Sequence, residues 1–288
     1  MVLKGRVLDL CGGAGRGTVQ VTAFDEYERR TWSGRADAFA GSFAKLCAYP
    51  VPQLLDAAAV GEGARVLDVG TGTGTVAAAA CERGAKVTAV DAEPSMVVLA
   101  GRAAPAAEVL TAVLPELPFE DGTFDAVVGN FVLNHVGRPR VALAELRRVL
   151  RPGGRIALTI WAAPAPAGQA LLGRAVEAAG VTRPPHLPPL AAEDDFPRDP
   201  GGLAGLMMSA GLRETACETL CWDHRASPEE WWSGPMAGVA FIGQLLLSQP
   251  EQTRADVKRH FDRLSQEFLG EDGQLVLPHA ALLASACR

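Results

Sequence analysis

No two cysteines in the chain stand at the CxxC spacing that a structural zinc site requires. The six present, Cys11, Cys47, Cys81, Cys217, Cys221 and Cys287, are scattered, so free thiols in a reducing cytoplasm are expected and no metal is. A basic excess is missing too. Lys and Arg number 27 against 33 Asp and Glu, a formal net charge of -6, which repels phosphate backbones and anionic headgroups and speaks against nucleic acid or a membrane as partner. The longest apolar run, 236–247, is too short to cross a bilayer and is broken by Gly238, Gly243 and Gln244. No basic segment leading into an apolar signal core stands at the N-terminus, and no solenoid-type repeat recurs. The expectation is a soluble cytoplasmic protein, monomer or homodimer, of one large α/β domain with room for a small insertion.

What is there is an alternation of short β-branched runs with helical stretches, the pattern of a parallel sheet covered on both faces. Strands are expected at 65–69, 86–90, 109–112, 124–128 and 155–160, each bounded by Gly, Pro or Asp. Helices are expected at 75–83, 94–103 and 140–150, the last stopped by Pro152-Gly153-Gly154. Upstream, 24–59 reads as helices. Beyond the fifth strand a proline-rich stretch, 183–200, reads as a surface loop. A helix at 203–210, a strand at 212–222, helical sequence over 228–269 and a closing strand at 274–286 follow, Pro278 suggesting that this strand is an edge or carries a bulge.

The strongest chemical signal is Val66-Leu67-Asp68-Val69-Gly70-Thr71-Gly72-Thr73-Gly74. It is a buried strand entering a glycine turn and then a helix, the place where open α/β sheets bind ligands. Asp68 sits just before the glycines, where a pyrophosphate would be repelled and a cationic ligand favoured, the carboxylate either holding an ammonium group or ordering the loop through hydrogen bonds to its backbone amides. The GxGxxG pattern also fails, because its third glycine falls on Thr75. Asp91, ending the next strand, can accept both hydroxyls of a ribose. An earlier segment, 7–17 (VLDLCGGAGRG), resembles 66–76 but lacks the following strand and acid. We expect 1–23 to be a leader that does not pack.

From about residue 64 to 160 the sequence resembles class I S-adenosylmethionine-dependent methyltransferases, within the broad group related to quinone-biosynthesis C-methyltransferases. The likeness rests on VLDVGTGTGTVA, VDAEPSMV, LPELPFEDGTFDAVV and LRRVLRPGGRIALTIW. It implies an α/β, Rossmann-like, seven-stranded, mostly parallel sheet with helices on both faces and a helical cap. Residues 24–160 would hold the N-terminal helices and the cofactor-binding half. Residues 161–288 would complete the sheet as the substrate half, with the cap near 224–270. The cofactor implied is S-adenosyl-L-methionine, with Gly70, Thr71, Gly72 and Gly74 lining its methionine part and Asp68 near its ammonium. Asp91 would hold the ribose, and Ala92 and Met96 would pack on adenine. Many relatives carry Asp where this chain has Val113, leaving backbone groups of Val113 and Leu114 for the adenine. Asn130, after the fourth strand, would neighbour the cofactor, and Tyr27 and Trp32 resemble positions that fold over it.

His135 is the side chain near the fourth strand suited to accept a proton near neutrality, as a general base or simply as a loop-holding residue. Trp222, Trp231, Trp232, Phe241, Met207, Met208 and Met236 suit either an apolar acceptor pocket or cap core, while Phe39 and Phe43 fit a core-facing helix side. Glu229 and Glu230 suit a helix N-terminal turn. The activity expected is in-line transfer of the donor methyl to a small-molecule acceptor, closed off by the N-terminal helices and 228–269. Two rivals stand beside it, an NAD(P)-dependent oxidoreductase and a non-catalytic methyltransferase-like binding protein.

Overall fold

Seven strands form one sheet in the computed structural model, which describes residues 21–288. The glycine-rich segment 7–17 lies outside the described residues. The strands are β1 (Arg65–Val69), β2 (Lys86–Asp91), β3 (Glu108–Thr111), β4 (Phe124–Asn130), β5 (Leu150–Trp161), β6 (Arg213–Ala226) and β7 (Leu275–Cys287). They lie in the order β3-β2-β1-β4-β5-β7-β6. The first five run parallel, and β7 runs antiparallel to both of its neighbours. Four of the five β1 residues are buried, as a strand covered on both faces must be.

Helices α1 (Ala23–Trp32), α2 (Ala36–Ala40), α3 (Ala44–Ala48) and α4 (Val51–Ala57) precede the sheet. Between its strands lie α5 (Thr75–Glu82), α6 (Pro94–Ala103) and α7 (Pro139–Val149), then α8 (Leu171–Ala178), α9 (Pro200–Ser209), α10 (Pro228–Met236), α11 (Ala240–Leu247) and α12 (Glu251–Ser265). On one face, Leu143 and Leu146 of α7 and Leu203 and Met207 of α9 pack on Leu67, Val127 and Leu158. On the other, Leu54 and Leu55 of α4 and Ala77 and Ala80 of α5 pack on Val66, Val87 and Val128. A third core joins α8, α10, α11 and α12 to the start of β7 through Leu171, Trp231, Leu246, Phe261 and Leu277.

Some expectations are corrected. Pro278 lies in an interior strand, between β5 and β6. Its missing N–H goes unneeded because β5 reaches only Ala281. Over 275–280 the free side of β7 meets the α8 approach instead, where Gln169 N donates to Pro278 O at 3.0 Å. Pro152-Gly153-Gly154 ends α7 but is absorbed into β5 at a register shift. Helix α8 was not anticipated; its buried Leu171, Leu172, Ala175 and Val176 recur at helical spacing. Met208 and Met236 are exposed and Met207 is sheet core, so none of the three belongs to a pocket. Among the described residues no helix is long and apolar enough to cross a membrane.

Candidate active site

The strand order reverses between β1 and β4, and the crevice at their carboxyl ends is where such sheets take ligands. The β1–α5 turn enters it with Gly70 at φ +67, Gly72 at +55 and Gly74 at +87, a left-handed path that residues with a side chain rarely follow. The amides of Gly70 and Thr71 both donate to Val90 O, at 2.9 and 3.0 Å. Asp91 finishes the turn: its Oδ2 accepts from Gly72 N at 2.8 Å and its Oδ1 from Glu93 N at 3.0 Å. Burial pushes the Asp91 carboxyl up from its ordinary value, opposed by these two amides.

The turn opens on a cavity of about 920 Å³, near the top of the range for ligand sites. At one end its wall holds Thr71, Gly72, Asp91, Ala92 and Met96, with Val113 and Leu114 beside them. Asn130, Trp32 and His135 also line it. Asn130 has protein partners at both ends of its amide, donating from Nδ2 to Cys47 O at 2.7 Å and accepting at Oδ1 from Thr159 Oγ1 at 2.6 Å. It thereby ties α3 to the sheet. Cys47 shares the wall, and burial pushes its thiol up to about 12.

Three expected site residues stand outside the wall. Asp68 is fully buried beneath the turn, its Oδ2 accepting from Thr71 Oγ1 at 2.6 Å. Burial pushes its carboxyl up to about 7, the charge of Asp91 adding to the effect and the Thr71 hydroxyl opposing it. Its contact is with the loop. Gly74 is a packing glycine, since an added Cβ would lie 2.7 Å from Ala100 Cα. Tyr27 is buried in the cap core with Leu46 and Trp231.

Helix α1 is clasped onto the segment after β4. A capping box starts the helix, Thr22 Oγ1 accepting from Asp25 N and Asp25 Oδ2 from Thr22 N. Asp25 Oδ1 then accepts from Gly137 N at 2.7 Å. One turn on, Glu28 Oε2 lies 2.8 Å from His135 Nδ1, and the Trp32 ring meets the imidazole edge-on at 5.1 Å. Asp25 and Glu28 carry no sequence motif of their own, and their role emerges only from the fold. Phe39 and Phe43, expected as core, line the cavity.

The far end of the cavity is aromatic. Trp161, at the tip of β5, stacks on Phe131 with ring centres 4.0 Å apart, and Trp231, Phe241 and His279 complete the lining there. Of the expected pocket aromatics, Trp231 and Phe241 are placed in the wall. Trp222 stands behind it, stacked on Tyr49 and His279, and Trp232 packs on Phe261.

The stretch 67–158 matches the family described as "Methyltransferase domain". It is a class I methyltransferase domain. The chain is 37% identical over 111 residues to the demethylmenaquinone methyltransferase of Renibacterium salmoninarum, a match that covers 38% of its own length and 47% of that protein. It is 42% identical over 105 residues to the demethylmenaquinone methyltransferase of Clavibacter sepedonicus, covering 35% of this chain and 43% of that one. The match thus spans less than half the length of these relatives. The fold of the domain and its surroundings is shared with a Bacillus halodurans protein assigned as a methyltransferase (TM-score 0.53, 21% identity, 82% of this chain and 97% of that one). It is shared too with Haemonchus contortus phosphoethanolamine N-methyltransferase 2, solved with phosphomonomethylethanolamine and S-adenosylhomocysteine (TM-score 0.55, 16% identity, 93% and 60%).

The residues present fit S-adenosylmethionine, the cofactor that the sequence resemblance implies. A Cβ at Gly72 would meet only Phe39 Cε1, at 3.7 Å, so the bare backbone there faces open cavity. The acids Asp25, Glu28, Asp91 and Glu93 line the same end, against the exposed Arg29, a balance that suits a sulfonium and an ammonium and opposes a pyrophosphate.

Proposed function

We propose that the chain transfers the methyl group of S-adenosylmethionine to a small-molecule acceptor held between the glycine turn and the aromatic end of the cavity. The observation that carries this reading is the continuity of the 920 Å³ cavity from Asp91 to Trp161 and Trp231. A protein that only bound the cofactor would need no apolar chamber beyond it. Gly70, Thr71 and Gly72 would cradle the methionine part, Asp91 the ribose, and Ala92, Met96, Val113 and Leu114 the adenine. Trp32 would close over the donor from α1.

The donor carries its own activation, a positive sulfur bearing the methyl. The protein's share is therefore to hold the acceptor lone pair about 3 to 3.5 Å from the methyl carbon, in line with the C–S bond, and to keep water out. His135 is tied through Nδ1 to Glu28 and we assign it to holding the α1 clasp in place, because an acceptor lone pair meeting an already activated methyl needs no base. The chemistry then rests on alignment. A demethylmenaquinone methyltransferase name on two relatives speaks for an organic ring acceptor, which the aromatic end can hold.

Thermal melting with S-adenosylhomocysteine and with NAD tests the cofactor reading. At a hundred times its dissociation constant a ligand adds about 2.7 kcal/mol, so the demethylated product should raise Tm by several degrees and NAD should not. Stabilisation by NAD alone overturns the proposal. Mass spectrometry of a metabolite extract incubated with enzyme and S-adenosylmethionine should then show one species gaining a single methyl.

A further inference from the structure

His279 lies outside the matched domain, in the interior strand β7, and sits in the cavity wall among aromatic rings. Ring centres of Trp231, Trp161 and Trp222 lie 5.5, 6.1 and 6.1 Å from its own, and that of His224 lies at 6.0 Å. Its Nδ1 is 2.8 Å from Leu277 O. A carbonyl can only accept, so Nδ1 carries the proton and Nε2 presents a lone pair. No Nε2 partner exists among the described residues. Burial lowers the imidazole to about 4, the nearby His224 acting in the same direction and Asp223 against it, so the ring is neutral in neutral solution. The second polar group of this wall is Gln169, whose Oε1 accepts from Ala280 N at 3.0 Å, leaving its amide N–H groups as donors. Around these two, Trp161, Trp231, Phe241 and Leu245 make the surface apolar.

The sheet order separates this corner from the cofactor end. His279 on β7 is four strand spacings from Asp91 on β2, about 19 Å across the sheet, so a group reaching Nε2 belongs to the acceptor.

We infer that His279 is the specificity-determining residue of the acceptor subsite, selecting a flat aromatic molecule that carries a hydroxyl group by accepting a hydrogen bond from that hydroxyl at Nε2. The aromatic walls take the ring faces, and the lone pair gives the chamber its directional acceptor. An acceptor of the same shape without the donor leaves a buried nitrogen unpaired and is disfavoured. This rests on the methyl-transfer reading above, because it takes the aromatic end as the acceptor side.

The test uses the whole chain saturated with S-adenosylhomocysteine and two isosteric probes, p-cresol and p-xylene, titrated by ligand-observed NMR. Wild-type protein should bind p-cresol at least about fivefold more tightly, and His279→Phe should bring the two within twofold while keeping its S-adenosylhomocysteine affinity. A variant-free reading is the ¹⁵N resonance of His279 Nε2, which should move with p-cresol and stay with p-xylene. Equal affinities in the wild type, a preference that survives His279→Phe, or an Nε2 resonance indifferent to p-cresol overturns the inference. Absence of S-adenosylhomocysteine binding would overturn the methyl-transfer reading instead, and calorimetry with that ligand alone tells the two failures apart.

Discussion

Gly72 and Gly74 stand two positions apart in one turn, yet a methyl group added at each meets different surroundings. At Gly74 it would press on the α6 backbone at 2.7 Å, and at Gly72 it would find open cavity. Both have positive φ, so each alanine variant carries about 1 kcal/mol of strain or more. Gly74→Ala adds a backbone clash and should lose about 2 to 4 kcal/mol by urea denaturation. Gly72→Ala should lose far less stability while its affinity for S-adenosylhomocysteine falls about tenfold or more by calorimetry. Equal stability losses would mean that the two glycines do the same job. Asp68 gives a pH prediction. Its native carboxyl titrates at about 7, while the unfolded one titrates near 4, so between these values the native state holds the extra proton. The stability from this group is complete below about pH 4, falls as pH rises toward 7 and is level above. In Asp68→Asn that loss should vanish, so the variant's stability relative to wild type should climb across pH 4 to 7, read from urea midpoints. A constant difference would assign the native carboxyl an ordinary titration.

At the scale of elements, the clasp of α1 matters most. A Cβ at Gly137 would collide with Thr22 Oγ1 and fall 2.7 Å from Asp25 Oδ2, so the segment after β4 fits under the helix start only because that residue has no side chain. Asp25 serves both the capping box and Gly137 N. Asp25→Ala should cost about 1 to 2 kcal/mol, expressed locally as faster amide exchange over α1 in deuterium-exchange mass spectrometry. The sheet amides should keep their rates, and uniform acceleration would show that α1 does not open by itself. Adding S-adenosylhomocysteine should slow the same α1 amides if the helix covers the donor. The strands β1, β2, β4 and β5 are readable in the sequence because each centres on a short, mostly apolar and β-branched run bounded by Gly, Pro or Asp. Helix α8 was not, lying between a strand end and a proline-rich loop with nothing to announce its start: its N-cap is Ala170, with no side-chain cap. The interior place of β7 is hidden in the sequence because Pro278 argues locally for an edge or a bulge, and only the longer reach of β7 past β5 reconciles it with that position.

For the whole molecule, legibility divides along the sheet. Gly72, Asp91, Ala92 and Met96 could be grouped from the sequence as one cavity wall because a strand, its turn and its helix are neighbours in the chain, so these lining residues are written side by side. Asp68 could be found as a signal with two roles open to it, near an ammonium or ordering the loop, since nothing in the order of residues says that Thr71 stands between it and the cavity. His279 and Trp161 could not be found together, for they meet only where β7 slots between β5 and β6. That slotting has a consequence for synthesis. The sixth strand to leave the ribosome has no place in the sheet until the seventh arrives, about sixty residues later, which is roughly 3 to 12 seconds of translation. Through that interval the growing polypeptide carries an unzipped apolar flank on β5 and a waiting ribbon with Cys217, Cys221 and Trp222, and the chamber that would receive an acceptor has not yet been built.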